Sequence, residues 1–293
     1  MNESNDTPHS LEPTELRPGE RLWTPWRMQY VGGGASEDGC VFCNRLAEND
    51  DVASLILHRG PRTFAIMNLF PYNTGHAMIL PNNHVANPEE LDDETVVEMA
   101  RYLPVLLAAI RRALGPGGFN VGMNLGSVAG AGIAAHLHQH VVPRWQGDAN
   151  FMPILANTKA LPELIPVTYA KIRAELERGF EPVPIIVLTA DRTRVFIEKG
   201  AFKEMRLPVV DPGRPGSLWS EGQSLLHSLG VNAFFAGWAG KNRAEGNPAA
   251  ALTFLGSPTP GSSLTAVALE EAPEILSTEH RAVISQAVSN FRD

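Results

Sequence analysis

Three histidines at alternate positions, His136, His138 and His140, stand in the run His136-Leu137-His138-Gln139-His140-Val141-Val142-Pro143. Ile133 upstream and Val141 and Val142 downstream favour an extended chain, and in a strand alternate side chains leave by one face. The spacing therefore predicts three imidazoles side by side, with Leu137, Gln139 and Val141 pointing the other way. Just before them runs Asn124-Leu125-Gly126-Ser127-Val128-Ala129-Gly130-Ala131-Gly132. A loop with so little side chain lets backbone N–H groups converge on an anion. A glycine loop followed by imidazoles is a phosphate site with nucleophile and donors beside it. A lone histidine is ordinarily a solvated or satisfied core residue; three in register after a glycine run ask for chemistry. A strand-borne metal site is the second reading, since imidazole is the commonest transition-metal ligand.

Cys40-Val41-Phe42-Cys43 holds both cysteines of the chain, so a disulfide framework is excluded. The pair reads as redox-active, as two zinc ligands, or as two small buried residues. A redox pair usually starts a helix after a strand, whereas Gly39 and Gly32-Gly33-Gly34 predict a knuckle-like turn. Zinc needs two more ligands, for which His84, in Pro81-Asn82-Asn83-His84, and His136 are the candidates.

The elements that must carry these groups are readable in outline. Strands are predicted at 54–57 and 63–67 around the turn 58–61, then a Pro/Asn/Gly loop at 68–76 and a strand at 76–81 stopped by Pro81. A helix over 91–114 starts among Glu89, Glu90, Asp92, Asp93 and Glu94 and ends near Arg111 and Arg112, which suits its dipole. Pro104 predicts a kink or a break in it. A strand at 119–125 leads to the glycine loop, and a closing helix covers 162–177. The class is α+β: an antiparallel sheet with helices on one face. The expected division is a flexible leader at 1–20, a catalytic domain at 21–178 and a second, smaller α+β domain at 179–293. In that last part a hairpin (185–189 and 194–198), a helix at 220–229, strands at 232–238 and 250–255 and a helix at 278–291 are predicted. No motif of known chemistry is visible there; Trp219 and Trp238 read as core packing, His227 and Lys241 as solvated.

With 293 residues, 44% of them hydrophobic and 19% charged, the composition is globular. A formal charge of −8 opposes binding to a nucleic-acid backbone but not to a small phosphorylated ligand. No apolar run is long enough to span a bilayer and the amino terminus lacks a basic-then-apolar signal, so a cytoplasmic protein with no membrane partner is expected.

Taken together, residues 22–30, 40–43, 68–84, 124–132 and 136–152 resemble the histidine triad (HIT) family of nucleotide hydrolases and transferases. The signature His-x-His-x-His followed by two apolar residues is matched at His136, His138, His140, Val141 and Val142. The continuation Val142-Pro143-Arg144-Trp145-Gln146-Gly147-Asp148-Ala149-Asn150-Phe151-Met152 resembles a bacterial and archaeal branch that includes diadenosine tetraphosphate phosphorylases. The likeness covers about 22–177; the remainder has no counterpart in it. It implies a HIT-like fold and a nucleotide substrate attacked at phosphorus by His138, giving a nucleotidyl-imidazole resolved by phosphate or water. It further implies that His140 bonds the phosphoryl oxygens and that backbone donors at Gly130, Ala131, Gly132 and Ile133 stabilise the charge. Asn68 would contact the ribose, Asn124 would lie near the phosphates, and Leu69 and Phe70 would hold the base. A structural zinc on Cys40, Cys43, His84 and His136, no organic cofactor, and a homodimer formed through the helix and a sheet edge also follow from the resemblance. Two departures stand out: Gly132-Ile133-Ala134-Ala135 lacks the hydroxyl some members use to help the leaving group, and Gln139 replaces an apolar residue. Alternatives are phosphoramidate hydrolysis, nucleotidyl transfer to a sugar phosphate, or a non-catalytic nucleotide sensor or adaptor.

Overall fold

The computed structural model describes residues 38–48, 50–148, 163–179, 183–199, 205–213, 215–239, 250–272, 276 and 278–289. The expectations for 1–20, 22–30 and 149–152, and for Lys241, lie outside the described residues.

Five strands build the first sheet: β1 (Ile56–Arg59), β2 (Thr63–Met67), β3 (Ala77–Pro81), β4 (Gly118–Met123) and β5 (Gln139–Arg144). Their order is β1-β2-β3-β5-β4, antiparallel throughout. β2 and β3 are buried at every position, which is why they read as apolar runs and not as alternating strands. Between β3 and β4 runs α2 (Asp93–Leu114), preceded in the chain by the short α1 (Val41–Ala47). Asp92 caps α2 by accepting from the Thr95 N–H at 2.7 Å, and Gly115 ends it in the left-handed region with φ 64°. The expected break at Pro104 does not occur. A proline removes one backbone bond, and Met99 on one side with Leu106, Ala109 and Ile110 on the other anchor the helix across the gap.

The two faces of this sheet differ. One packs Ala65, Met67, Ala77, Ile79 and Val141 against Met99, Leu106 and Ile110 of α2 and against Tyr169 and Ile172 of α3 (Ile165–Leu176). The other carries Phe64, Ile66, Met78 and Leu80, covered by Phe42 of α1, with Ile133 at its margin. Met78 and Gly122 pair with His140 in the ladder, so His140 lies on this second face, away from α2.

The second sheet has the order β10-β11-β6-β7-β12, where β6 is Val183–Leu188, β7 Arg194–Lys199, β10 Val231–Ala239, β11 Ala251–Pro258 and β12 Leu264–Ala268. The two-residue strands β8 (Met205–Arg206) and β9 (Val209–Val210) attach to β7 and β6. β11 and β6 run parallel; the other pairs are antiparallel. The sequence had pointed to four of these strands; β12, β8 and β9 are additional. One side packs on α3 and α4 (Leu218–Ser228), the other on α5 (Thr278–Ser289). α3 serves both sheets: Tyr169 and Ile172 enter the first core, Ala170 and Ala174 the second. Within it Glu175, whose side chain is fully buried, bonds Arg112 at 2.9 Å, Arg178 at 3.1 Å and the Leu218 N–H at 2.7 Å. Trp219 donates its indole N–H to the Ala113 carbonyl at 2.9 Å, satisfying an acceptor in the last turn of α2. Trp238 is buried and His227 exposed, as expected.

Candidate active site

Cys40 caps α1 and Cys43 lies in its first turn, three residues on, so both thiols leave the same side of a helix. The expected free knuckle is thus a helix start, with Gly39 at φ 83° turning the chain into it. The four ligand atoms of Cys40, Cys43, His84 and His136 all lie within 4.8 Å of one another. Nδ1 of His136 is 3.4 Å from the Cys40 sulfur and 3.6 Å from that of Cys43; Nδ1 of His84 is 3.4 Å from Cys43. In a tetrahedron with Zn–S near 2.3 Å and Zn–N near 2.0 Å, the S···N edge is roughly 3.5 Å. Nε2 of His136 meets the Pro81 carbonyl at 3.0 Å, which places the proton there and leaves the Nδ1 lone pair facing the sulfurs. Donor set, spacing and tautomer all fit a closed four-ligand metal site.

The ladder of β5 begins only at Gln139, so His136 and His138 precede it in unpaired chain. The three imidazoles therefore do not form the uniform row that strand alternation predicts. The Leu137 N–H bonds the Val85 carbonyl at 2.7 Å, tying this approach to the loop after β3. His136 turns to the cysteines, while the rings of His138 and His140 meet edge to face with centres 4.8 Å apart. Nδ1 of His138 donates to the His136 carbonyl at 2.8 Å, so in the neutral ring Nε2 carries the lone pair.

His76, at the head of β3, is the functional side chain that sequence reasoning missed. Its Nδ1 accepts from the Tyr72 N–H at 3.0 Å and lies 3.2 Å from Asn68 Nδ2, so the proton of the neutral ring sits on Nε2. That nitrogen is 3.0 Å from Nδ1 of His140. His140 therefore accepts at Nδ1 and carries its proton on Nε2, where it can donate to an oxyanion. Asn124 approaches the same Nε2 at 3.5 Å, and its amide oxygen is the group that fits a proton there. Tyr72 stacks on His76 at 4.8 Å and 26°. The one sequence signal for His76 is a polar residue opening an otherwise apolar strand.

The remaining expected contacts are placed as follows. Asn68 is turned inward, its oxygen accepting from the Phe70 N–H at 2.9 Å, Leu69 is 53% exposed and Phe70 half-buried. Gly126 and Gly130 adopt φ of 78° and 84°, open to glycine without strain, around a 3-10 turn at Ser127–Ala129. The N–H groups of Gly130 and Ala131 turn back to Ser127 and Gly126 carbonyls at 3.0 and 3.4 Å, so these two anion donors are engaged within the loop. Gln139 has the difficulty expected of it: its Oε1 is buried without a hydrogen-bond partner among the described residues.

Burial sets the electrostatics. His136, His138 and His140 are 0, 6 and 8% exposed. Desolvation lowers the pKa of each; for His138 the His136 carbonyl opposes it, and for His140 the neighbouring His138 adds to it, bringing it to about 4. His136 is lowered by burial first, against the pull of the Pro81 carbonyl. The Cys43 thiol is raised by burial and then by Cys40, a cost that a bound cation would reverse. At neutral pH the site thus holds neutral imidazoles with fixed tautomers, His138 with its lone pair on Nε2 and His140 with its proton there.

A family model described as "HIT domain" matches residues 49–147. The AP-4-A phosphorylase of Mycobacterium tuberculosis is 37% identical over 166 residues, covering 54% of this chain and 85% of that protein. Among solved structures, a hypothetical histidine triad nucleotide-binding protein from Sulfolobus tokodaii aligns with TM-score 0.39 and 28% identity, covering 47% of this chain and 92% of that one. A Zn-bound histidine triad family protein from Mycobacterium smegmatis aligns with TM-score 0.38 and 26% identity, over 47% and 93%. By the match to the family model and the 37% identity to the mycobacterial phosphorylase over 85% of its length, the chain belongs to the histidine triad family.

Proposed function

We propose that the protein cleaves a nucleoside phosphoanhydride, of the diadenosine tetraphosphate type, in two displacements at one phosphorus. The observation that carries this reading is the 2.8 Å bond from His138 Nδ1 to the His136 carbonyl, which leaves Nε2 as a buried, oriented lone pair. Nε2 attacks the α-phosphorus, an N–P bond forms, and the P–O bond to the remaining polyphosphate breaks with its electrons leaving on that oxygen. Phosphate or water then attacks, the N–P bond breaks, and its electron pair returns to Nε2. His140 Nε2–H and the main chain at Gly132 and Ile133 stabilise the charge that builds on the phosphoryl oxygens. Asn124 acts beside them, and Asn68, Leu69 and Phe70 hold the nucleoside. No side chain of residues 132–135 can protonate the leaving group.

Cys40, Cys43, His84 and His136 hold zinc in this reading. When bound, zinc contributes a structural cross-link between α1 and the chain entering β5, with no ligand position left for substrate. Among the described residues the outer edge of β4 has no strand beside it, and Val121 on it is 42% exposed. An edge of this kind supports pairing of two chains as a homodimer.

The likeness to a phosphorylase favours phosphate as acceptor. Incubation with diadenosine tetraphosphate, with and without inorganic phosphate, tests this by chromatography of the products. ADP plus ATP forming only with phosphate is expected; AMP plus ATP regardless of phosphate identifies a hydrolase, and no turnover removes the enzymatic reading.

A further inference from the structure

His76 stands at the head of β3, and two attachments fix it against β5, the strand that carries His140. On its C-terminal side Ala77 pairs with Val141 in the ladder. On its N-terminal side β3 has not begun, and Pro143, two residues beyond Val141, has no N–H to offer a neighbouring strand. The Pro143 carbonyl is taken instead by a side chain: Asn73 Nδ2 donates to it at 2.9 Å. Asn73 is 5% exposed, and its Oδ1 accepts the Thr74 N–H at 3.1 Å, so both ends of the amide are assigned by their partners. Its main-chain carbonyl accepts the His76 N–H at 3.0 Å, closing a turn between the two residues. The chain runs close to β5 here, since a side chain on Gly75 would stand 3.3 Å from the Pro143 ring and 2.5 Å from a Leu114 methyl. The bonds of Asn68 and Tyr72 to His76, by contrast, stay within the loop.

We infer that Asn73 is a positioning residue for the histidine pair, holding the head of β3 down on β5 so that His76 Nε2 stays in reach of His140 Nδ1. Without that bond His76 stands at an untied strand end, and untied ends open locally. The His76–His140 contact is 3.0 Å, and such a bond is lost once stretched beyond about 3.5 Å or badly misaligned. A small displacement of the strand end is enough to break it. His140 then loses the partner that keeps its proton on Nε2, and the ring samples both tautomers. Asn73 touches no substrate; it acts through His76. The inference rests on His140 being the donor to the phosphoryl group.

Full-length Asn73→Ala and Asn73→Asp proteins are compared with wild type in three measurements. These are steady-state cleavage of diadenosine tetraphosphate, ¹⁵N imidazole spectra of His76 and His140, and the urea midpoint, which shows where each variant is fully folded. For Asn73→Ala, kcat is expected to fall about 10–100-fold with KM changed little, the size usual for losing a group that orients a functional imidazole. Its His140 resonances should move toward a tautomer average. Asn73→Asp keeps the acceptor for the Thr74 N–H, but when ionised it turns an oxygen on the Pro143 carbonyl, and only when protonated does it donate there. Burial and the facing carbonyl both favour the protonated form. Relative to wild type, its kcat should match that of Asn73→Ala at about pH 8 and rise as pH falls to about 5.5, whereas Asn73→Ala shows no such rise. A folded Asn73→Ala protein with wild-type kcat, or with unmoved His140 resonances, overturns the inference, as do parallel pH responses of the two variants. Should Asn73→Ala not fold, Asn73→Asp decides alone, and a constant ratio to wild type across that range contradicts the role. Wild type that cleaves no dinucleotide refutes the proposed function, while the resonances still report whether Asn73 holds His76 against His140.

Discussion

Nε2 of His76 lies 3.0 Å from Nδ1 of His140, and the Tyr72 N–H on the far side of His76 makes that contact directional. A fixed backbone donor at one end dictates the tautomer of two rings in series, so the proton of His140 is on the nitrogen facing Asn124. His138 is fixed the same way by the His136 carbonyl. The two rings are thus held in opposite tautomers by main-chain groups, though both are imidazoles of similar burial.

Replacing His76 with alanine removes the partner of His140 Nδ1 and lets either tautomer form. Loss of a partner that orients a functional imidazole commonly costs about 10–100-fold in activity. A fall of that size in kcat with KM changed little is expected in steady-state assays. An unchanged kcat contradicts the relay.

The pH dependence follows from burial. In the folded chain His140 titrates at about 4, against an ordinary 6.5. A folded-state value below the unfolded one means that unfolded chains bind protons first. The associated stability is complete above about 6.5 and is lost as pH falls toward 4. Burial lowers His138 as well as His140, so the acid limb of activity is expected below the 6.5 of an ordinary imidazole. A kcat/KM profile with an acid limb near 6.5 contradicts this.

Part of this arrangement was legible in the residues and part was not. His136, His138, His140, Cys40 and Cys43 announce themselves because chemistry is written in residue type and spacing. His76 does not, because its place beside His140 arises from a distant contact: the Ala77–Val141 register of β3 on β5. Strand alternation misjudged His136, since the ladder starts three residues later and the chain before it is tied to Val85. In the second sheet β12 was missed because Leu264-Thr265-Ala266-Val267-Ala268 is short and mixed, and the parallel β11–β6 pairing joins segments far apart in the chain.

The metal site predicts its own behaviour. Elemental analysis should find one zinc per chain in wild type and little in Cys40→Ser. Binding to the folded form alone stabilises it by mass action, so wild type should melt several degrees higher with zinc than after chelation. Equal melting temperatures contradict a structural ion.

Glu175 joins α3 to Arg112, Arg178 and the start of α4 from a fully buried position. Removing one partner of a buried ion pair costs about 3–5 kcal/mol. Because Arg112 is partly solvated, Glu175→Ala should fall at the lower end, seen as a reduced urea midpoint. A change below about 1 kcal/mol, the size typical of a surface pair, contradicts its role as the link between the two sheets.

The most direct test of the central claim is acid-quench trapping. Wild-type protein is mixed with diadenosine tetraphosphate labelled in the adenosine, denatured within one turnover, digested and analysed by mass spectrometry. The account predicts an acid-labile adenylyl group on the peptide carrying His138, absent from His138→Ala protein. Turnover without that adduct, or an adduct that persists in His138→Ala, contradicts it.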